Sequence, residues 1–193
     1  MIASLTVGIG CFEDSETIED VVDEALRLKE SIDIPVEVLV IDDGSRDESV
    51  DRLRKLEQKN PDLRVIVHDG NRGYAATLRE LFREARHDAL FTCPGDGQIR
   101  PGVVRDLWPA LSDADIVIGV RTPRRDPLRR RFQSGCYRSI LRLFFGLKSS
   151  DPNSSKLLRT SLLRKLSLNS KSAFVEAELL LSLIHISEPT RPY

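Results

Sequence analysis

The chain has 193 residues, enough for one domain with a substantial core. Lys and Arg number 29 against 30 Asp and Glu, so bulk charge gives no reason to expect a nucleic-acid partner. No apolar run reaches the ~18–20 residues of a membrane-spanning helix. The N-terminus has no basic leader and runs straight into a strand. Cys11, Cys93 and Cys136 are scattered without metal spacing, which fits a reducing cytoplasm better than a disulfide framework.

Strand and helix signals alternate along the chain. Residues 4–11 are apolar and strand-like. Ile18, Val21, Val22, Ala25 and Leu26 then recur at helical spacing, with Ser15 as the expected cap. Residues 36–41 form an apolar run that stops at two adjacent carboxylates, Asp42 and Asp43. A helix carrying Val50, Leu53 and Leu56 follows, and then an alternating strand through Leu63, Val65 and Val67. Leu78, Leu81, Phe82 and Ala85 mark the next helix. Ala89–Cys93 reads as a fourth strand, Val103–Leu111 as a short helix and Ala114–Gly119 as a fifth strand. Repeated β-α-β units predict an α/β fold with a mostly parallel sheet covered by helices on both faces.

The run ending at Asp42 and Asp43 is the most informative stretch. A buried parallel strand would present both carboxylates to solvent at its C-terminal end, where open α/β sheets bind ligands. Carboxylates there suit the donors of a ribose or base. Asp-Asp-Gly-Ser is also good turn chemistry, so the motif alone supports either reading.

Three further segments decide the matter by their order. Ile41-Asp42-Asp43-Gly44-Ser45 resembles the V-D-D-G-S signature of family 2 glycosyltransferases with the GT-A fold. Gly10-Cys11-Phe12-Glu13-Asp14 resembles the family's P-x-Y-N-E, and Asn71-Arg72-Gly73 its N-x-G. Gly95-Asp96-Gly97-Gln98 resembles the end of its D-x-D-G-Q metal motif, with Pro94 in place of the first Asp. The resemblance implies nucleotide binding by Cys11, Phe12, Asp14, Asp42 and Asp43. It implies a Mg²⁺ or Mn²⁺ held by Asp96 and Gln98, with Asp96 and Arg121 in catalysis. The chain looks most like the dolichyl- and polyprenyl-phosphate sugar synthases of cell-envelope glycan synthesis. That branch implies an inverting transfer from a GDP- or UDP-sugar to a lipid phosphate held by Arg121, Arg130 and Ser134. A phosphate acceptor is already ionised, which agrees with the absence of any His near the motifs. A hydroxyl acceptor would instead need a base, with Glu176 or Glu178 as candidates. An inert nucleotide-binding remnant is the third reading.

Asp151–Lys156 and Phe174–Leu179 resemble later family elements, D-x-x-S-G-[FK] and F-x-[DV]-E-L. Between them and the fifth strand the character changes. Leu128, Phe132, Cys136, Ile140, Leu143, Phe144 and Leu147 form one apolar stripe, and Arg121–Arg142 holds eight Arg against one acid, Asp126. Such a basic amphipathic helix is either a solvated face or an interfacial helix on an anionic membrane. The second reading places the protein in the cytoplasm, peripheral at the membrane's cytoplasmic face. Ser182–Tyr193 breaks the helical pattern before it and resembles translated adapter DNA. Residues 1–181 are therefore read as an incomplete glycosyltransferase domain and 182–193 as a non-native tail.

Overall fold

The computed structural model describes residues 2–119, 154–166, 168–170, 172 and 174–187. Its centre is a six-stranded sheet in the order β3-β2-β1-β4-β6-β5. The strands are β1 (Leu5–Cys11), β2 (Val36–Asp42), β3 (Leu63–Val67), β4 (Ala89–Pro94), β5 (Ile116–Ile118) and β6 (Lys156–Arg159). β1 pairs in parallel with β2 and β4, and β2 with β3. β6 runs antiparallel between β4 and β5. The sheet is thus mostly parallel, as expected, but with an inserted strand that chain order does not reveal.

Seven α-helices accompany the sheet among the described residues: α1 (Ile18–Leu26), α2 (Lys29–Ile32), α3 (Ser49–Lys59), α4 (Tyr74–Glu84), α5 (Val104–Leu107), α6 (Thr160–Leu163) and α7 (Val175–Ser187). Alternation in β2 explains the two layers of core. Val36, Val38 and Val40 pack with Leu5, Val7 and Ile9 of β1, with Ile18, Val21, Val22 and Ala25 of α1, and with Leu53 of α3. Leu39 and Ile41 face the opposite way, onto Leu78, Leu81 and Phe82 of α4 and Leu179 of α7. A strand buried on both faces reads as a continuous apolar run, which is why residues 36–41 do so. Each fully buried Val, Leu or Ile contributes about 1.5–3 kcal/mol.

Small residues on the second face of β1 let α4 come close. A Cβ on Gly8 would lie 3.0 Å from Leu90 and 3.1 Å from Leu81. The helix expected over Val103–Leu111 is broken up instead: a 3₁₀ turn at Pro101–Val103 precedes α5, and another, Trp108–Ser112, follows it. Pro109 has no N–H to donate, which ends regular α-helix there. Ser15 does not cap α1. Thr17 holds that position, and its hydroxyl donates to the Gly95 carbonyl at 2.8 Å while accepting from no helix N–H. The helix expected to end near Leu181 runs on to Ser187.

Candidate active site

The carboxyl ends of β1, β2 and β4 open onto a cleft of about 420 Å³. Phe12 and Asp14 come from the loop after β1, Asp43 from the end of β2, and Asp96 and Gln98 from the turn after β4. Asn71, Gly73 and Tyr74 form the wall where α4 begins. Ser154, Ser155 and Glu176 close the far side. Phe12 and Tyr74 are two of the few large apolar side chains left exposed among the described residues, at 41% and 53%. Both line this cleft, and exposed aromatic surface of that kind suits a flat ligand.

Asp42 and Asp43 are not presented to solvent, contrary to the sequence reading; they are 0% and 3% exposed. Asp42 accepts from the Gly44 and Ser45 N–H groups at 3.0 and 2.8 Å and from the Ser45 hydroxyl at 2.7 Å. Its carboxylate shapes the loop and does not line the cleft. The turn reading therefore holds for Asp42, and only Asp43 reaches the ligand space. Asp43 Oδ1 accepts from Arg72 N and Oδ2 from Gly73 N, both at 2.8 Å, and His68 Nδ1 lies 2.7 Å from Oδ1. A carboxylate oxygen offers two lone pairs, so Oδ2 keeps room for a ligand donor.

Asp14 and Asp96 approach each other from separate loops. Gly95 makes this possible: a Cβ there would lie 2.8 Å from Asp14 Oδ2 and 3.2 Å from the Gly10 carbonyl. The Gly95 N–H donates to that same carbonyl at 2.8 Å. Burial raises the Asp14 carboxyl above its usual range. An N–H from Phe12 opposes this, and the charges of Asp96, Asp47 and Asp42 add to it. Crowded carboxylates with hard oxygen atoms suit a divalent cation. Among the described residues no three His, Cys, Asp or Glu side chains gather to hold an ion alone. Asp14, Asp96 and Gln98 fit a site completed by phosphate and water. Cys11 lines the cleft floor beside Asp42, and its thiol is pushed well up by burial and then by Asp42 and Asp14, so it offers a neutral packing surface.

Glu176 is buried at 6% and contacts both the Lys156 ammonium and the Tyr74 hydroxyl. The Tyr74 ring is exposed, but its hydroxyl end is buried and pushed up to about 12. Ser155 Oγ is buried in the cleft wall and has no hydrogen-bond partner among the described residues. Glu178 does not enter the site. It accepts from the Asn169 and Ser170 N–H groups at 2.9 and 2.8 Å and so fixes the loop before α7. The expectation of no His near the motifs is also corrected. His68 lies against Asp43, but it is 4% exposed and does not line the cleft. Arg121, Arg130, Ser134, Asp151, the apolar stripe Leu128–Leu147 and the Arg-rich run Arg121–Arg142 lie outside the described residues. Sequence reasoning passed over Lys156 and Tyr74, and no pattern in the chain marks them as neighbours.

A family model, Glycosyl transferase family 2, matches residues 6–171. The chain belongs to glycosyl transferase family 2. Among its family 2 relatives, a dolichol-phosphate mannosyltransferase from Mycosarcoma maydis is 31% identical over 125 residues, covering 61% of this chain and 42% of that protein. An undecaprenyl-phosphate 4-deoxy-4-formamido-L-arabinose transferase from Pectobacterium atrosepticum is 27% identical over 153 residues, covering 78% and 46%. The chain therefore spans less than half the length of these two curated relatives. The glucosyl-3-phosphoglycerate synthase of Mycobacterium tuberculosis, solved with Mn²⁺, UDP and glucosyl-3-phosphoglycerate, superposes with a TM-score of 0.66. It is 21% identical, with 92% of this chain and 64% of that one covered. The shared architecture is the GT-A fold. Among the described residues no helix is long and apolar enough to cross a membrane.

Proposed function

We propose that this family 2 domain transfers a sugar, with inversion, from a GDP- or UDP-sugar to a polyprenyl or dolichyl phosphate. The observation that carries the reading is the cleft itself. It sets carboxylates from three strand ends beside exposed aromatic rings. Phe12 packs on the base, and Asp43 Oδ2 accepts from the nucleoside. Asp96 and Gln98 would hold Mg²⁺ or Mn²⁺, and Asp14 would supply the second carboxylate that Pro94 cannot. A bound divalent ion supplies Lewis-acid neutralisation of the departing nucleoside diphosphate.

The acceptor class follows from how the candidate bases among the described residues are held. A hydroxyl needs its proton removed, whereas a phosphate does not. Glu178 faces a loop, His68 is enclosed, and Glu176 is already held by Lys156 and Tyr74. A phosphate acceptor is the class that needs none of them. The named lipid-phosphate activities of the two relatives support the same choice. In this reading Arg121, Arg130 and Ser134 bind the acceptor phosphate, and the Arg-rich segment meets an anionic membrane at its cytoplasmic face.

Transfer of radiolabelled sugar from GDP-mannose and a panel of UDP-sugars tests the reading, with polyprenyl phosphate or a free alcohol as acceptor. Label entering the lipid-phosphate fraction is the expected result. Transfer to the alcohol alone would refute it. Sedimentation with acidic vesicles should fall as salt rises, and equal binding to neutral vesicles would refute the membrane contact.

A further inference from the structure

Behind the cleft lies a buried line of side chains that the transfer reaction does not use directly. His68 follows β3, and its N–H donates to the Asp42 carbonyl at 2.9 Å, which extends the β2–β3 pairing by one residue. That step sets the imidazole beside Asp43. Nδ1 lies 2.7 Å from Asp43 Oδ1, and Nε2 lies 2.7 Å from Glu80 Oε2 on α4. The ring is 1% exposed, Asp43 5% and Glu80 15%. Arg83, two-thirds exposed, then grips Glu80 Oε1 at 2.7 Å. Asp43 also receives the Arg72 and Gly73 N–H groups, and Gly73 caps α4 with a φ of +85°.

We propose that His68 is a positioning residue for the nucleotide site. Clamped from behind by Glu80, it fixes the rotamer of Asp43, and Asp43 fixes the Asn71–Gly73 turn that frames the cleft. This rests on reading the cleft as a nucleotide site. The arrangement has a physical logic. Asp43 needs one oxygen directed at the ligand, and a short buried carboxylate holds a direction only if donors occupy its other lone pairs. Two backbone N–H groups from a mobile class of element, a loop, cannot do this alone, because they depend on Asp43 for their own placement. His68 directly follows β3 and Glu80 stands on α4, both packed into the sheet layers. A ring between two carboxylates has no lateral freedom, so it serves as the fixed point of the set.

Three variants of the 193-residue chain test this. His68→Leu removes both ring contacts. His68→Asn keeps one N–H within reach of Asp43. Glu80→Gln keeps a partner for the ring but removes its charge. GDP and UDP are titrated with Mn²⁺, and amide exchange at Arg72 and Gly73 is followed without nucleotide. His68→Leu should weaken nucleotide binding about tenfold, the scale of one charge-assisted hydrogen bond, and speed exchange at both amides. His68→Asn should recover most of both effects, and Glu80→Gln should fall between. Unchanged affinity and exchange in His68→Leu would overturn the proposal. Equal losses in Leu and Asn, tracking the fall in Tm, would also overturn it and leave only a structural role. If the parent chain binds neither nucleotide, the reading of the cleft fails, and the exchange arm alone upholds or overturns the positioning of Asp43.

Discussion

Gly95→Ala probes the meeting of the β1 and β4 loops without removing any ligand atom. The added Cβ would sit 2.8 Å from Asp14 Oδ2, 3.1 Å from Ile18 Cδ1 and 3.2 Å from the Gly10 carbonyl. Ordinary contact begins at 3.4 Å, so something must yield by roughly half an ångström. None of the three yields easily. Asp14 Oδ2 is tied to Phe12 N at 3.1 Å, Ile18 is fully buried, and the Gly10 carbonyl is strand backbone. Overpacking of this kind costs about 1–3 kcal/mol, and a domain of this size loses about 2–4 °C of Tm per kcal/mol. Thermal unfolding should therefore shift down by about 2–12 °C. Retreat of the Gly95–Gln98 turn should also weaken Mn²⁺-dependent nucleotide binding. Gly70→Ala is the control, because its Cβ would meet nothing within 4 Å; it should stay within about 0.5 kcal/mol of the parent. A Gly95→Ala chain with unchanged Tm and unchanged metal-dependent affinity would refute the packing argument.

Other consequences follow from the same geometry. Gly44 has a φ of +76°, and a Cβ there would lie 2.6 Å from Gly70 backbone. Gly44→Ala should therefore lower the urea-unfolding free energy by at least about 2 kcal/mol, and an unchanged value would contradict the close approach. Two carboxylates give opposite pH dependences. Burial raises Asp47, but donors from Ser49 and Ser15 outweigh it and hold the group at about 2. Its contribution is full above the ordinary 3.8 and is lost as pH falls towards 2. Asp14, held above 3.8 by burial and neighbouring charge, binds its proton more tightly when folded, so it costs stability as pH rises past that value. Asp47→Asn should thus destabilise by about 0.5–1 kcal/mol at pH 7, while Asp14→Asn should not; the reverse order would show the signs to be wrong. Cys11 and Cys93, both buried with thiols pushed up by burial, should resist a thiol reagent until the chain unfolds. Rapid labelling at Cys11 or Cys93 in the native chain, located by peptide mapping so that Cys136 is counted separately, would count against that.

The central strands were readable because burial on both faces leaves unbroken apolar runs, as at Val38–Ile41. β6 was not, for a local reason. Lys156–Arg159 has only two apolar residues, and its place between β4 and β5 depends on contacts across the sheet. The positions of the cleft carboxylates came from motif order, but their roles did not. Asp42 and Asp43 are adjacent and chemically alike. Strand alternation sends one into the loop it caps and the other to the cleft. Asp14 as partner of Asp96 depends on Gly95 lacking a Cβ, a three-dimensional fact about a residue that reads as turn chemistry. His68 is a lone His at a strand end. Nothing within the chain pairs it with Glu80, because the two meet only after α4 packs on the sheet.

The central claim is a metal-assisted nucleotide site built on Asp96, and isothermal titration of GDP and UDP, with and without Mn²⁺, tests it most directly. Mn²⁺ should strengthen binding of at least one nucleotide to the parent chain. Asp96→Asn, which keeps shape but removes the charge, should abolish the metal-dependent part. Nucleotide affinity that is indifferent to Mn²⁺, or equally metal-dependent in Asp96→Asn, would contradict it.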